Sequence, residues 1–220
     1  MANPDSQSEQ CQDRVYDGGV TAAAPYHHGD LREALAAEAL EQVRAKGSDG
    51  VSLRGVAQAV GVSASAAYHH FPDKTALMAE VAERGRLELD RRTLAAAAGV
   101  TGRGSRAATE RLRACGLAYI GFAQDEPHLF RHTFGPDCVS KAGAAPQPEL
   151  HSEAYATLGR CLDDLERLGA LGVPRQGLDL LAWTSVHGFS SLLIDGFLPP
   201  EAVPLLMSTL LDALTRQGAR

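Results

Sequence analysis

Apolar residues recur along most of this chain at the three-to-four-residue spacing of amphipathic helices, and no segment keeps the period of two that marks a strand. Leu31, Leu35, Ala39 and Val43 make one stripe, between Asp30 as a candidate N-cap and Gly47 as a stop. Leu53, Val56, Ala57 and Val60 make a second, ended by Gly61. Ser63 caps a short third helix whose buried side carries Ala67 and Phe71. A fourth starts at Asp73, carries Leu77, Val81 and Leu87 inward, and runs to about Ala98, where Gly99, Gly102 and Gly104 break the pattern. Leu112, Cys115, Ala118, Tyr119 and Phe122 predict a helix between Arg106 and Gln124. Pro127 opens a short one that Gly135 and Pro136 stop, and residues 137–148 read as a loop rich in Gly, Ala and Pro. The next helix spans about 149–171, another runs from near Pro174 to Asp195 and Gly196, and the last starts at Pro199 or Pro200. Its apolar stripe is Leu205, Leu206, Leu210, Leu211 and Leu214. The pattern predicts an all-α chain of about nine helices. Residues 1–25 show no periodicity and read as a flexible arm.

Between Val51 and Lys74 the pattern says more. Two short helices meet at a tight turn, where Gly61 takes the left-handed backbone and Val62 fills the corner. Ala57 and Gly61, four apart, are small where two helices must cross closely. This is the arrangement of a helix-turn-helix, whose second helix enters a DNA major groove.

The run GVSASAAYHHFPDK resembles the signature of the TetR family of bacterial transcriptional regulators, at Gly61, Val62, Ser63, Tyr68, His70, Phe71, Asp73 and Lys74. The preceding YHHGDLREALAAEALEQVRAKG is similar to that family's first helix. The resemblance covers residues 26–90. It implies a DNA-binding domain over 26–75 and a ligand-binding and dimerisation domain over 76–220, with the fourth helix as the link. It also implies that Ser63, Ala64, Ser65, Ala66, Tyr68, His69 and His70 face the groove and that Tyr68, His70 and Lys74 hold phosphates; Arg54 is a further candidate DNA contact. Where the family often has Arg or Lys early in the recognition helix, this chain has Ala64, Ser65 and Ala66.

Charge modifies this picture slightly. The formal net charge is −6, which disfavours a non-specific nucleic-acid binder and leaves a local basic face sufficient for a specific one. Over 51–86, Arg54, Lys74, Arg84 and Arg86 outnumber Asp73, Glu80 and Glu83, and His27, His28, His69 and His70 can add to them. Arg14 in the arm either has no role or touches the DNA backbone or minor groove. No run of eighteen apolar residues and no secretion-type N-terminus is present, so a cytoplasmic protein is expected. The four cysteines form no CxxC pair. Cys115 and Cys161 fall in apolar helical stretches and read as small core residues, with Cys138 in a loop and Cys11 in the arm.

The stretch LAWTSVHGFSSLLIDG is the second informative one. Its Trp183, His187 and Gly188 resemble the WHG-type ligand-binding domain of some TetR-like regulators, and Pro127, Leu129, Phe130, Arg131 and Phe134 fit the same resemblance. Tyr119, Phe122, Phe130, Phe134, Trp183 and His187 are the candidate ligand contacts, suited to a small apolar or aromatic molecule held by few polar groups. A histidine beside Trp on an apolar helix is more often a core group than a ligand contact, so His187 also reads as a core histidine. Thr184, Gly188 and Ser191, with Leu206, Leu210 and Leu214, are the candidate dimer interface, since the resemblance implies a four-helix bundle across a two-fold axis. His128 and His132 are four apart, with no further ligand at matching spacing, so no metal is expected, nor any cofactor. Neither a nucleophile elbow, a phosphate loop nor a zinc-protease motif occurs, and Ser185 and His187 point to different helix faces. The expected protein is a homodimeric repressor released from a palindromic operator by its effector. An activator or redox-responsive regulator of the same fold, or an all-helical binding protein or enzyme, are the alternatives.

Overall fold

The computed structural model describes residues 28–135 and 152–215. The regular structure among them is nine α-helices and one 3-10 turn: α1 (His28–Lys46), α2 (Leu53–Val60), α3 (Ala64–His70), α4 (Lys74–Gly99), α5 (Ser105–Asp125), α6 (Pro127–Phe134), α7 (Glu153–Arg167), α8 (Leu178–Ile194), the turn Pro200–Ala202 and α9 (Val203–Leu214). The only strand-like pairing among the described residues is a single bridge between Leu171 and Thr215. The N-terminal arm with Arg14, His27, Cys11, the 137–148 loop with Cys138, and the expected helix start at 149 lie outside the described residues.

Helix ends follow local chemistry. Ser52, Ser63, Asp73 and Ser152 cap α2, α3, α4 and α7, each accepting from a backbone N–H three residues on. Gly61, at φ 81°, ends α2, and Val62 N–H returns to the Ala57 carbonyl at 2.9 Å. Asp30 does not cap α1, because the helix already runs from His28. The helix expected to reach 171 stops at Arg167. Gly169, at φ 65°, supplies a left-handed residue there, and the N–H groups of Gly169 and Ala170 close back on Glu166 and Leu165 at 2.9 Å. In the same way Gly177, at φ 79°, delays α8 to Leu178.

The apolar stripes meet in one long core. Leu35, Val43, Val56, Phe71 and Leu77 fill the space between α1, α2, α3 and the start of α4, and the cluster continues through Ile120, Phe122, Phe130 and Met207. A second cluster, with Cys115, Leu162, Leu165, Leu178 and Leu211, closes the far end between α5, α7, α8 and α9. Burial is therefore continuous from the helix-turn-helix into the C-terminal helices. Leu87 departs from expectation: it is exposed. The buried side of α4 runs through Leu77, Val81, Gly85, Leu89 and Thr93, and at 100° per residue Leu87 falls on the opposite face.

Two features fix α4. Gly85 lets α6 lie against it: a Cβ there would stand 2.0 Å from Thr133 Oγ1. His132 Nε2, from α6, donates to the Met78 carbonyl at 2.9 Å.

Candidate functional site

The first candidate site is the outer face of α3. Ala67 is buried against the core, Ala64 and Ala66 are half-buried, and Ser65, Tyr68 and His69 are exposed. Ser63 Oγ is engaged as the cap, accepting from Ala66 N–H at 3.1 Å. The helix has only seven residues, too few to hold itself in water, so its orientation comes from its neighbours. Arg32 supplies much of that. Its guanidinium donates to the His70 carbonyl at 3.0 Å and to Glu80 at 2.8 Å, and lies 4.3 Å from the centre of the Phe71 ring. The pattern reading passed over Arg32 because it lies outside the apolar stripe of α1. The tell-tale in sequence is a cation beside that stripe, able to satisfy carbonyls at a helix C-terminus.

Lys74 is exposed and donates to the Ser48 carbonyl at 2.8 Å. An ammonium has three donors, so this bond does not exhaust it. Arg54 is exposed and makes no ion pair among the described residues. Arg84 and Arg86 contribute less positive surface than their number suggested. Arg84 grips Glu33 through two bonds of 2.8 and 2.6 Å, and this holds the Glu33 carboxyl below its ordinary range. Arg86 pairs with Glu83. The basic excess read over 51–86 thus narrows to Arg54 and Lys74.

The second candidate site is a cavity between α4, α5, α7, α8 and α9, ≈ 710 Å³ when its open mouth is included. Tyr119, Phe134 and Trp183 line it as expected. Phe122 and Phe130 are fully buried and stand behind the wall. His187 is also absent from the lining. Its Nδ1 is hydrogen-bonded to the Tyr119 hydroxyl at 2.9 Å, and its ring lies 5.4 Å from those of both Trp183 and Phe130. The six expected residues form one aromatic cluster, of which three face the cavity and three support those that do.

The sequence reading missed the α4 wall. Arg86, Leu89, Asp90 and Thr93 all line the cavity, on the helix that follows α3. Their i, i+3, i+4 and i+7 spacing is that of one helix face, but two of the four are charged, so no apolar stripe marks them in the sequence. Asp90 Oδ1 accepts from Ala154 N–H at 2.7 Å, which fastens the first turn of α7 to α4. Thr93 is buried, and its hydroxyl has no hydrogen-bond partner among the described residues. Tyr155, next to Ala154 on α7, also lines the cavity, and its phenol is pushed up by burial and by Asp179.

The expected dimer residues separate in two. On α8, Thr184 is exposed, Gly188 and Ser191 are half-buried, and a Cβ built at Gly188 meets nothing within 4 Å. On α9, Leu214 is buried and lines the cavity together with Leu210, so both serve the protomer's own interior, while Leu206 is half-buried. The strongly exposed leucine of that helix is Leu205, at 68 %. With Leu180, Leu181 and Leu192 on α8 and Phe197 beyond it, Leu205 belongs to an exposed set of large apolar side chains on these two helices and their connection. His128 is exposed and His132 is spent on Met78, and no group of three metal-type ligands occurs among the described residues.

The chain matches two family models. Residues 35–81 match the bacterial regulatory proteins of the tetR family, and residues 112–216 match the tetracyclin repressor-like C-terminal domain. A solved structure of a protein of unknown function from Rhodococcus sp. RHA1 is 30 % identical, with a TM-score of 0.74 over 88 % of this chain and 100 % of that one. A TetR-family transcriptional regulator from Pectobacterium atrosepticum is 24 % identical, with a TM-score of 0.61 over 84 % of this chain and 91 % of that one. A TetR family transcription regulator from Marinobacter aquaeolei VT8 is 18 % identical, with a TM-score of 0.59 over 84 % and 96 %. A comparison with curated proteins finds no match.

Proposed function

The chain belongs to the TetR family of bacterial regulatory proteins, and from that premise we propose that it is a homodimeric repressor that leaves its operator when a small apolar or aromatic molecule enters the cavity. It is a DNA-binding transcription regulator and not an enzyme. One observation carries the rest: α4 begins where the DNA-reading head, α1 to α3, ends, and the same helix presents Arg86, Leu89, Asp90 and Thr93 to the cavity. Whatever fills the cavity presses on the element that carries α3.

In this reading Ser65, Tyr68 and His69 face the groove from the exposed side of α3, with Ser63, Ala64, Ala66 and His70 beside them. Tyr68, His70, Lys74 and Arg54 meet phosphates. With alanines at the start of α3, base discrimination falls on a few side chains and on DNA shape. Two reading heads on a palindrome need a two-fold partner. Thr184, Gly188, Ser191, Leu205 and Leu206 form the face that receives it. The effector acts by population shift, and must bind the form that cannot span two half-sites better than the form that can. No helix among the described residues is long and apolar enough to cross a membrane; a regulator that reads DNA acts where the DNA is, in the cytoplasm.

The test is selection of bound fragments from a random duplex library by the purified protein, followed by titration of the selected DNA. An inverted repeat bound by two protomers is the expected result. Fragments that share no inverted repeat, or binding by a single protomer, overturn the reading.

A further inference from the structure

Cys115, on α5, and Cys161, on α7, bring their sulphurs to 3.9 Å from each other, and both side chains are buried. Cys115 lies in the cavity wall, beside Gly116 and Tyr119, whereas Cys161 stands behind it. Two thiols at this distance share an S–H···S hydrogen bond, so they titrate as a pair. The thiol of Cys115 is pushed far up and that of Cys161 is held down, each chiefly by this bond, with Arg111 and Arg160 adding positive charge beside Cys161. The first proton to leave is that of Cys161, and the Cys115 proton is retained in the bond to the Cys161 sulphur. An ordinary buried core cysteine keeps its proton and stays inert.

We propose that Cys115 and Cys161 are a redox-active dithiol that is oxidised to a disulfide by organic hydroperoxides entering through the cavity. The lining around Cys115 is Leu112, Tyr119, Trp183, Val186 and Met207, which accepts an apolar body carrying a small reactive end and offers little to a hydrated one. The step balances. The ionised pair carries its charge on Cys161 and its remaining proton on Cys115; that proton passes along the S–H···S bond to Cys161 as the Cys115 sulphur attacks the terminal oxygen of the hydroperoxide. The S–O bond forms, the O–O bond breaks, and the departing alkoxide takes a proton to leave as an alcohol. The Cys161 sulphur then attacks Cys115, forming the S–S bond and expelling water. Two thiols and one hydroperoxide give one disulfide, one alcohol and one water. The sulphurs must close from 3.9 Å to about 2.05 Å, which draws α7 toward α5 at the cavity wall. The chemistry rests on the sulphur geometry; its effect on DNA rests on the regulatory reading above, and the two are measured separately.

The experiment uses the full-length chain with Cys11→Ser and Cys138→Ser, which leaves only the pair. The reduced protein is exposed to cumene hydroperoxide or, in parallel, to hydrogen peroxide, then alkylated and mapped by mass spectrometry. The expected results are an intrachain Cys115–Cys161 link, formed several-fold faster with cumene hydroperoxide. Cys161→Ser should stop at a sulfenic acid on Cys115, trapped by dimedone. Cys115→Ser should give no adduct. Circular dichroism before oxidation confirms that each variant is folded, and Cys161→Ala or Cys115→Ala replaces the serine variant at the same position where it is not. Two free thiols after excess cumene hydroperoxide, or equal rates with the two peroxides, overturn the proposal. Binding of library-selected DNA by the oxidised protein is scored apart: a disulfide that forms without changing it leaves the dithiol chemistry standing and refutes its regulatory role.

Discussion

The Asp90 carboxylate on α4 accepts a hydrogen bond of 2.7 Å from the Ala154 N–H in the first turn of α7, at the edge of the cavity. It adds an acidic cap from another helix to the cap that Ser152 already provides. Asp90→Ala leaves an N–H of that turn without its acceptor. The expected cost is about 0.5–2 kcal/mol, the range for losing a capping group, measured by urea unfolding. Asp90→Asn retains the acceptor oxygen and should recover most of it. Equal losses for both would show that the charge, and not the hydrogen bond, matters.

Lys74→Ala should weaken DNA binding similarly on selected and random duplexes and lower the salt slope by roughly one unit, because a phosphate contact carries no base information. The Ser48 carbonyl loses its donor as well, so a thermal melt without DNA runs beside the titration. A change in which sequence is preferred would remove Lys74 from the phosphate contacts.

Gly188→Leu tests the two-fold interface cleanly. A side chain at Gly188 meets nothing within its own protomer, so the isolated fold should tolerate it. A partner helix lying on that face would not, and overpacking costs typically ~1–3 kcal/mol. Light scattering is expected to show more monomer at low concentration, and the affinity for an inverted repeat should fall with it. An unchanged dimer would move the interface away from this part of α8.

Gly85→Ala should destabilise the chain by about 1–3 kcal/mol, since the new methyl would be placed on Thr133 Oγ1. That hydroxyl has no hydrogen-bond partner among the described residues, so Thr133→Ala makes room without breaking a bond. Made in the Thr133→Ala background, the glycine substitution should cost much less, a coupling that a double-mutant cycle reads directly. The same cost in both backgrounds would mean that another contact resists it.

Glu88 carries the strongest pH signal among the described carboxylates. Hydrogen bonds from Arg91 first, and then Arg92, hold it down from 4.5 to about 2, against burial, which raises it. Arg92 also reaches Asp125, so the cluster ties α4 to the end of α5. A depressed folded value means that the stabilisation is present above the unfolded value, about 4.3, and is lost as pH falls through that value toward the folded one. Glu88→Gln should therefore melt lower than the parent at pH 7, with the gap shrinking below about pH 4 and closing near pH 2. A gap that is flat with pH would assign the effect to packing.

The reading head was legible because its constraints are local. Gly61, Ser63 and Asp73 each specify a backbone turn or a cap by their own chemistry, and the structure uses them so. Arg32 was not legible, since its partners lie 38 and 48 residues away and only the fold brings them together. The cavity was half legible for a related reason. Aromatic residues at helical spacing announced a cluster, but which ring faces the hollow depends on how five helices lean on one another, so Tyr119 and Trp183 came out in the wall and Phe122 and Phe130 behind it. On α9 every leucine looked equivalent. Only the side of the helix turned toward α5 and α8 separates Leu210 and Leu214, inside, from Leu205, outside.

The contact at Gly85 divides α4 unevenly. With 1.5 Å of rise per residue, Lys74 lies ~16 Å to one side of it and Leu89 only ~6 Å to the other. A rigid helix held there behaves as a lever with unequal arms: a nudge of ~0.5 Å at Leu89 appears as roughly 1.3 Å at Lys74, in the opposite sense. Two such levers in a dimer turn their ends in opposite directions about the two-fold axis, so the mismatch to a fixed half-site spacing doubles. On the proposed reading, a close-packed fulcrum of this kind would let a modest occupant of the cavity put the reading heads out of step with the DNA, without any helix having to melt.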